Sequence, residues 1–341
     1  MRILLLSLGL VLFHSCIDQK QPNPNIEIYD PNVERIIDVT ATFEVIVDSI
    51  TIPEGPVWDE RNQRLLFVDV PSNRILQWTE KDGASTFITP GGNTGYAPNL
   101  GEGLLGPNGL VIDDDGRLLV CQHGDRRIAT IDNAASSDPK FETVVDNFEQ
   151  GRLNSPNDLV IDSSGSVYFT DPPFAFFDLS NFSFVETEMR ELDFNGVFRY
   201  NPKTKEMTAL MRDVPMPNGL GFSPNEQVLY VNSMGAPFSQ SSPKILQLNL
   251  SDMSQSVFFD GQALAEKYND GTDFDGMAVH SSGTIFTSGP GGLLVISPEG
   301  ELQARMNIGQ ITNCTFDSDQ GYLYVTGFVN NPRVYRIKLK S

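Results

Sequence analysis

A six-residue pattern that recurs six times constrains the fold more than any other feature of the chain. Each copy starts with a polar residue, followed in most copies by glycine and then by apolar residues, and a strand-like segment comes next. The copies are EGPVWD at 54, NGLVID at 108, NDLVID at 157, NGLGFS at 218, DGMAVH at 275 and TNCTFD at 312. Strand-built repeats of about 40 to 50 residues are typical of β-propeller blades.

The strand pattern also predicts how the ring closes. After residue 43 the chain shows almost no helical periodicity, and each repeat supplies short strands separated by turn residues. Five repeats contain a fourth, outer strand, which the sixth lacks, and the segment 43–49 can supply it and leave no open edge. We therefore predict an all-β fold over residues 41–341, a six-bladed β-propeller whose last blade is closed by an N-terminal strand.

Loop lengths indicate which face of the propeller is functional. With the strands of a blade labelled a to d from the centre outwards, the a–b turns are short, whereas the long connections follow strands b or d. The long connections are 90–106, 147–156, 171–195, 233–243 and 261–273. All of them lie on the face where strand a begins, and long loops gathered on one face are typical of a binding site.

The first residue of each repeat, here called the anchor, should point into the central funnel on that face. The anchors are Glu54, Asn108, Asn157, Asn218, Asp275 and Thr312. Carboxylate and amide oxygens are the ligands of Ca²⁺ or Mg²⁺, and the absence of histidine and cysteine argues against a dedicated zinc site. A blander interpretation is that Asn and Asp before glycine simply serve turn geometry. The whole set at equivalent positions favours a metal site.

Several of these stretches carry a family resemblance. EGPVW at 54, NSPNDLVIDSSGSVYFTDPPF at 154, PNGL at 217 and FDGM at 274 resemble the SMP-30/gluconolactonase/luciferin-regenerating-enzyme family. HGDRR at 123 and TNC at 312 are similar to its bacterial gluconolactonase branch. The resemblance covers about residues 45 to 340. It implies a six-bladed propeller that hydrolyses a small-molecule sugar lactone with one divalent metal, Ca²⁺ first, with Mg²⁺, Mn²⁺ and Zn²⁺ as alternatives.

The resemblance also implies roles for individual residues. The family's metal ligands correspond to Glu54, Asn157, Asn218 and Asp275, and Asp275 matches its proposed catalytic acid/base. One departure concerns substrate preference, because animal members place an arginine two residues before the third-blade asparagine, where this chain has Ser155. The preference of those members therefore does not transfer.

Further residues are candidates for contacting the substrate. Asn108 and Asn157 are anchors, and His123 and Asp171 end b strands on the same face. A structural hydrogen bond is an equally good interpretation of His123. Phenylalanines 174, 176 and 177 belong to the long third-blade loop, where they either wall the pocket or pack the loop onto the blade.

The N-terminal residues resemble a lipoprotein export signal. Arg2 precedes an apolar run over residues 3–13, too short to span a bilayer, and Ser15-Cys16 follows. We expect a signal peptide over 1–15, lipidation of Cys16, and a polar tether to residue 40, which would place the protein in the periplasm or cell envelope. A plain signal peptide with an incidental Cys16 is the alternative.

The net charge of −20 argues against nucleic acid and against membrane contact other than through the lipid anchor. Cys121 and Cys314 lie in different repeats, which favours buried free thiols over a disulfide. We expect a monomer or weak dimer. Two other functions remain open: another ester or phosphotriester hydrolase on the same metal site, and a non-catalytic propeller module. The anchor set favours an enzyme.

Overall fold

A computed structural model describes residues 21–98, 100–101, 103–131, 140–328 and 332–340. The described strands form six antiparallel blades, and the innermost strand of each blade contacts that of the next, with blade 6 returning to blade 1. The predicted six-bladed β-propeller is therefore confirmed. The predicted signal peptide and Cys16 lie outside the described residues.

Each blade is a meander with strand a at the centre. The a strands are Pro53–Asp59, Pro107–Ile112, Leu159–Ile161, Pro217–Phe222, Met277–Val279 and Ile311–Phe316. The b strands are Arg64–Asp69, Leu118–Gln122, Val167–Asp171, Val228–Ser233, Ile285–Gly289 and Tyr322–Gly327. The c strands are Arg74–Thr79, Arg127–Ile131, Gly196–Asn201, Lys244–Asn249, Gly292–Ile296 and Arg333–Lys338.

The outer strands show how the ring is closed. In blades 1 to 5 they are Gly83–Ile88, Phe141–Val145, Glu206–Met211, Gln255–Asp260 and Leu302–Met306. In blade 6 the outer strand is Phe43–Val47, which pairs antiparallel with Arg333–Lys338. Strands from both ends of the propeller domain therefore share one blade, as the missing sixth outer strand predicts.

The segment before residue 41 differs from the predicted tether. Ile26–Ile28 forms a strand that pairs with Leu302–Met306 and adds a fifth strand to blade 5. The 3₁₀ helix Pro31–Arg35 follows, and Val33 and Ile37 are buried in the core between blades 5 and 6. The apolar residues of this stretch bury surface against the blades, which a solvated tether would leave exposed. Residues 26–37 are thus part of the folded unit.

Short elements decorate the loops. A 3₁₀ helix spans Phe174–Phe176, two hairpins pair Asn147–Phe148 with Gly151–Arg152 and Phe177–Asp178 with Ser183–Phe184, and an α-helix spans Gln262–Tyr268. Among the described residues, no helix has the length and hydrophobicity needed to cross a membrane. Cys121 and Cys314 are buried free thiols, as predicted.

Candidate active site

The anchors are held in place by contacts between neighbouring a strands. The amide of Gly109 donates to the carbonyl of Asn157 at 2.7 Å, and that of Gly219 donates to the carbonyl of Asp275 at 2.8 Å. A Cβ on Gly109 or Gly219 would lie 2.7 or 2.6 Å from those carbonyl oxygens. The glycine after an anchor therefore lets the next blade approach closely, and each such contact fixes the backbone of a predicted site residue.

In blades 3 and 6 the residue after the anchor is not glycine. The side chains at these two positions meet in the channel beneath the anchors. Asp158 and Asn313 occupy the two positions. The Asn313 side chain donates from Nδ2 to Asp158 Oδ2 and to Glu54 Oε2, both at 3.3 Å. Asn313 therefore orients the carboxylate of an anchor, a role that the sequence patterns did not suggest.

The open face holds a cavity of about 230 Å³ at the mouth of the funnel. The predicted site residues and anchors that line it are Glu54, Asn108, His123, Asn157, Asn218, Asp275 and Thr312. The hydroxyl of Thr312 is used structurally, because it donates to the carbonyl of Pro53 at 2.6 Å and so joins blades 6 and 1. The other six side chains form the polar part of the cavity together with Thr272, Asp273 and Gln310.

Glu54 and Asp275 form a pair of buried carboxyl groups. Burial and the negative charge of Glu54 raise the pKa of Asp275 well above its usual value, while a hydrogen bond from Asn218 opposes the rise. Burial, together with the charge of Asp158, likewise raises the pKa of Glu54, against hydrogen bonds from Gly55 and Asn313. The side chains of Glu54 and Asp275 lie within hydrogen-bonding reach of each other. Two carboxylates in such contact are destabilised as anions unless a positive charge lies between them.

Asn108 and His123 present buried acceptors to the cavity. No hydrogen-bond donor among the described residues reaches Asn108 Oδ1 or His123 Nε2. The Nδ1 atom of His123 lies 2.9 Å from the carbonyl of Leu104, to which it donates as the neutral tautomer. Burial lowers the pKa of His123 to about 4, so the ring is neutral at physiological pH. Buried acceptors without partners are costly, and they suit the hydroxyl groups of a ligand.

Asp171 has a role different from the predicted substrate contact. Its carboxylate is fully buried and accepts from the amide of Asn154 at 2.7 Å and from that of Ser155 at 2.8 Å. It is not among the residues that line the cavity. Burial raises its pKa to about 7, although the two amide donors oppose the rise. Asp171 therefore fixes the loop that leads into Asn157.

The HGDRR stretch organises loops on the same face. Asp125 accepts hydrogen bonds from the amides of Thr94 and Tyr96, at 2.9 and 3.2 Å. The buried guanidinium of Arg126 donates to the carbonyls of Leu153 and Met189, each at 2.7 Å. Two charged side chains thus hold three long loops, a role that sequence reasoning left unassigned.

The third-blade loop contributes apolar residues to the cavity. Phe174 and Phe177 line it, whereas Phe176 packs against the guanidinium of Arg126, 5.2 Å from the ring centroid. Ser155 is buried and donates to the carbonyl of Pro172. It does not line the cavity, so it does not replace the substrate-binding arginine of the animal proteins.

Comparison with known proteins identifies the family. The family model described as SMP-30/Gluconolactonase/LRE-like region matches residues 52–328. The chain belongs to this family. It is 34% identical to a gluconolactonase from Zymomonas mobilis over 320 residues, which cover 92% of this chain and 85% of the relative.

Solved structures of the SMP-30/gluconolactonase/LRE-like fold agree with this assignment. A gluconolactonase from Xanthomonas campestris superposes with a TM-score of 0.76 at 27% identity, over 94% of this chain and 95% of its own. A regucalcin from Agrobacterium tumefaciens, described as a calcium-binding protein, has a TM-score of 0.64 at 15% identity, over 88% and 95%, and supports the fold alone. The predicted enzyme class, a lactonase-type ester hydrolase, is confirmed by these relatives.

The residues of this family member suit a hard cation. Within the described ranges, no three His, Cys, Asp or Glu side chains are grouped as a metal site. The donors that could hold a metal are instead mixed, two carboxylates from Glu54 and Asp275 and two amide oxygens from Asn157 and Asn218. Two buried carboxyl groups with raised pKa values fit one divalent cation, because its charge would offset their repulsion.

Proposed function

We propose that the protein is a metal-dependent hydrolase that opens a sugar lactone, such as glucono-1,5-lactone, to the aldonate. The observation that carries the proposal is the pair of buried carboxyl groups, Glu54 and Asp275, in a cavity lined by amide oxygens. Membership of a family that includes gluconolactonases supports the lactone as substrate. The mixed carboxylate and amide donors support Ca²⁺ as the metal, ahead of Mg²⁺, Mn²⁺ or Zn²⁺.

The reaction requires a base near the lactone carbonyl. A divalent cation held by Glu54, Asn157, Asn218 and Asp275 would polarise that carbonyl and favour the ionised form of Asp275. The Asp275 carboxylate takes a proton from water as the water oxygen attacks the carbonyl carbon. The carbon–oxygen bond of the ring then breaks, and Asp275 returns the proton to the ring oxygen, which becomes a new hydroxyl group. The carboxylic acid formed at the carbonyl carbon releases its remaining proton to solvent, which gives the aldonate.

Substrate hydroxyl groups find partners on the other side of the cavity. Asn108 Oδ1 and neutral His123 Nε2 are unpaired acceptors, and each suits one donated hydrogen bond. A lactone without such hydroxyl groups leaves these buried acceptors unpaired and should therefore bind less tightly than a hydroxylated lactone of the same shape. These two residues would therefore orient the sugar ring with respect to Asp275.

The test is hydrolysis of glucono-1,5-lactone by purified protein in a pH-stat. We expect turnover that EDTA abolishes and added Ca²⁺ restores. An aryl ester and a phosphotriester, assayed in parallel, represent the alternative hydrolase activities. Absence of turnover on all three substrates in the presence of Ca²⁺ would instead favour a non-catalytic binding module.

Export as a lipoprotein is a separate proposal, supported by the sequence around Cys16. The change Cys16→Ala should move the protein from the membrane fraction to the soluble fraction of the cells, since the acyl chains are then absent. Unchanged membrane association of the variant would reject the lipid anchor.

A further inference from the structure

The cavity has an apolar side as well as a polar one. Besides the carboxyl and amide groups, five phenylalanine side chains line it, and four of them form what we call the aromatic wall: Phe174, Phe177, Phe182 and Phe238. Two of them, Phe174 and Phe177, are buried, and Phe238 is half-buried. The wall comes from two separate loops, one after the b strand of blade 3 and one after that of blade 4.

The rings of the aromatic wall support one another. The centroid of Phe177 lies 5.0 Å from that of Phe182 and 5.7 Å from that of Phe238. Phe174 lies 5.8 Å from Phe238 and also stacks on His123, at 6.3 Å and an interplanar angle of 18°. The aromatic wall is therefore a continuous surface. It begins next to His123, whose Nε2 is one of the unpaired acceptors on the polar side of the cavity.

Phe182 is the most exposed residue of the aromatic wall. Its side chain is 56% exposed to solvent, and its backbone is left-handed, with φ of 51°. It ends the turn between Phe177–Asp178 and Ser183–Phe184, where glycine or asparagine would be free of the steric strain. A ligand that covers this exposed ring would remove its apolar surface from water.

The hydroxyl groups of a lactone match the polar side of the cavity but not the aromatic wall. Hydroxyl groups placed against phenylalanine rings lose their bonds to water and gain none in return. An alkyl or aryl group placed there removes apolar surface from water on both sides. The exposed side chains of Leu179 and Phe328 line the same cavity and extend the apolar side at its rim.

We propose that the cavity takes lactones that carry an apolar substituent, which lies on the aromatic wall while the lactone group lies at Glu54 and Asp275. The inference rests on the proposed lactonase function and narrows its substrate class. It makes Phe182 and Phe238 residues that determine specificity rather than residues that take part in the chemistry.

The test compares δ-valerolactone with decano-1,5-lactone, which carries a pentyl group on the same ring. Neither has a hydroxyl group, so both leave the acceptors of Asn108 and His123 unpaired to the same extent. A fully buried methylene contributes up to about fourfold, and a partly covered pentyl group should therefore raise kcat/KM at least about tenfold. Equal kcat/KM values for δ-valerolactone and decano-1,5-lactone would overturn the inference. Hydrolysis of both would still support the proposed lactonase function.

Variants locate the effect on the aromatic wall. Phe182→Asn removes the ring and places a residue that tolerates left-handed backbone, so the hairpin should still fold. We expect this variant, and also Phe238→Ala, to reduce the preference for decano-1,5-lactone over δ-valerolactone about fivefold. The matched control is Val257→Ala, which removes an exposed apolar side chain from the outer strand of blade 4 and should keep the preference. An unchanged preference in both phenylalanine variants would contradict the proposal.

A binding measurement separates this inference from the proposed function. The lactam analogues of the two lactones keep the ring carbonyl but resist hydrolysis, and calorimetry gives their affinities without turnover. Tighter binding of the pentyl-bearing lactam, by about tenfold and reduced in Phe182→Asn, supports the aromatic wall even if no lactone is opened, in which case only the catalytic proposal fails. Equal affinities of the two lactams would overturn the inference.

Discussion

Asp162 and Asp275 lie on opposite faces of the propeller, and their carboxylates have opposite surroundings. Asp162 belongs to a short a–b turn and accepts hydrogen bonds from the amides of Ser164 and Ser166, each at 2.9 Å. Burial alone would raise the pKa of Asp162, but hydrogen bonds from the Ser164 hydroxyl, from these two amides and from the Tyr168 side chain outweigh it and lower the pKa. By contrast, burial and the negative charge of the neighbouring Glu54 raise the pKa of Asp275.

The difference teaches how to separate structural from functional polar residues in this fold. On the closed face, short turns supply backbone amides to carboxylates such as that of Asp162. On the open face, the long loops leave carboxylates and acceptors turned toward a cavity, as with Asn108 Oδ1 and His123 Nε2. Asp162 and Asp275 are the same residue type. Whether the carboxylate is structural or functional depends on whether nearby groups donate hydrogen bonds to it.

The largest expected effect is on catalysis, from Asp275→Asn. An amide can still ligate through its oxygen but cannot accept a proton from water, so turnover of glucono-1,5-lactone should fall about 10²–10⁴-fold. Calcium affinity, measured by calorimetry, should remain detectable. Near-normal turnover at saturating metal would remove Asp275 as the base and would weaken the contrast between the two faces.

Asp171→Asn should lower stability by about 2–3 kcal/mol. The new amide group turns an NH₂ toward the backbone amide of either Asn154 or Ser155, which leaves one buried donor unpaired. Denaturant unfolding measures the free-energy change. Asp171 lies on the open face but behaves as a structural residue, so an unchanged unfolding free energy would refute its assigned role.

His123→Asn should remove part of the pH dependence of stability. The folded-state pKa of His123 is about 4, below the unfolded value of 6.5, so its contribution is present above pH 6.5 and is lost as the pH falls toward 4. The wild type should lose about 2 kcal/mol more than the variant between about pH 7 and about pH 5. The asparagine amide can replace the donor to Leu104, and parallel pH profiles of the two proteins would contradict the buried neutral ring.

The smallest effect should come from Asp162→Asn on the closed face. The asparagine oxygen can still accept from the turn amides, so the unfolding free energy should change by about 1 kcal/mol or less. Lactone turnover should equal that of the wild type. A loss of turnover comparable to that of Asp275→Asn would show that the two faces are not functionally distinct.

The sequence was sufficient to predict the architecture because the anchors repeat. Six equivalent starts of strand a fix the number of blades, and the missing outer strand predicts the pairing of Phe43–Val47. The anchors Glu54 and Asp275 indeed line one cavity. These features follow from periodicity, which is visible in a linear sequence.

What the sequence did not reveal depends on contacts between distant segments. Asp158 and Asn313 follow anchors as ordinary polar residues, and only the closed ring brings them within 3.3 Å. Asp171 ends a b strand on the predicted face, but two loop amides turn its carboxylate away from the cavity. Pairing of Ile26–Ile28 with blade 5 also escaped prediction, because three residues carry too little pattern to be distinguished from a tether.

Closure of blade 6 has a consequence for the order of folding. Phe43 pairs with Ile337, so nearly the whole propeller must be synthesised before this strand finds its partner. Contacts between residues so far apart in the chain are slow to form, and an unpaired strand is prone to aggregate during that delay. Glu44 carries a charge on this strand and pairs with Arg336 once the ring is closed. The same side chain can therefore protect the growing chain from wrong partners and then help to select the right one.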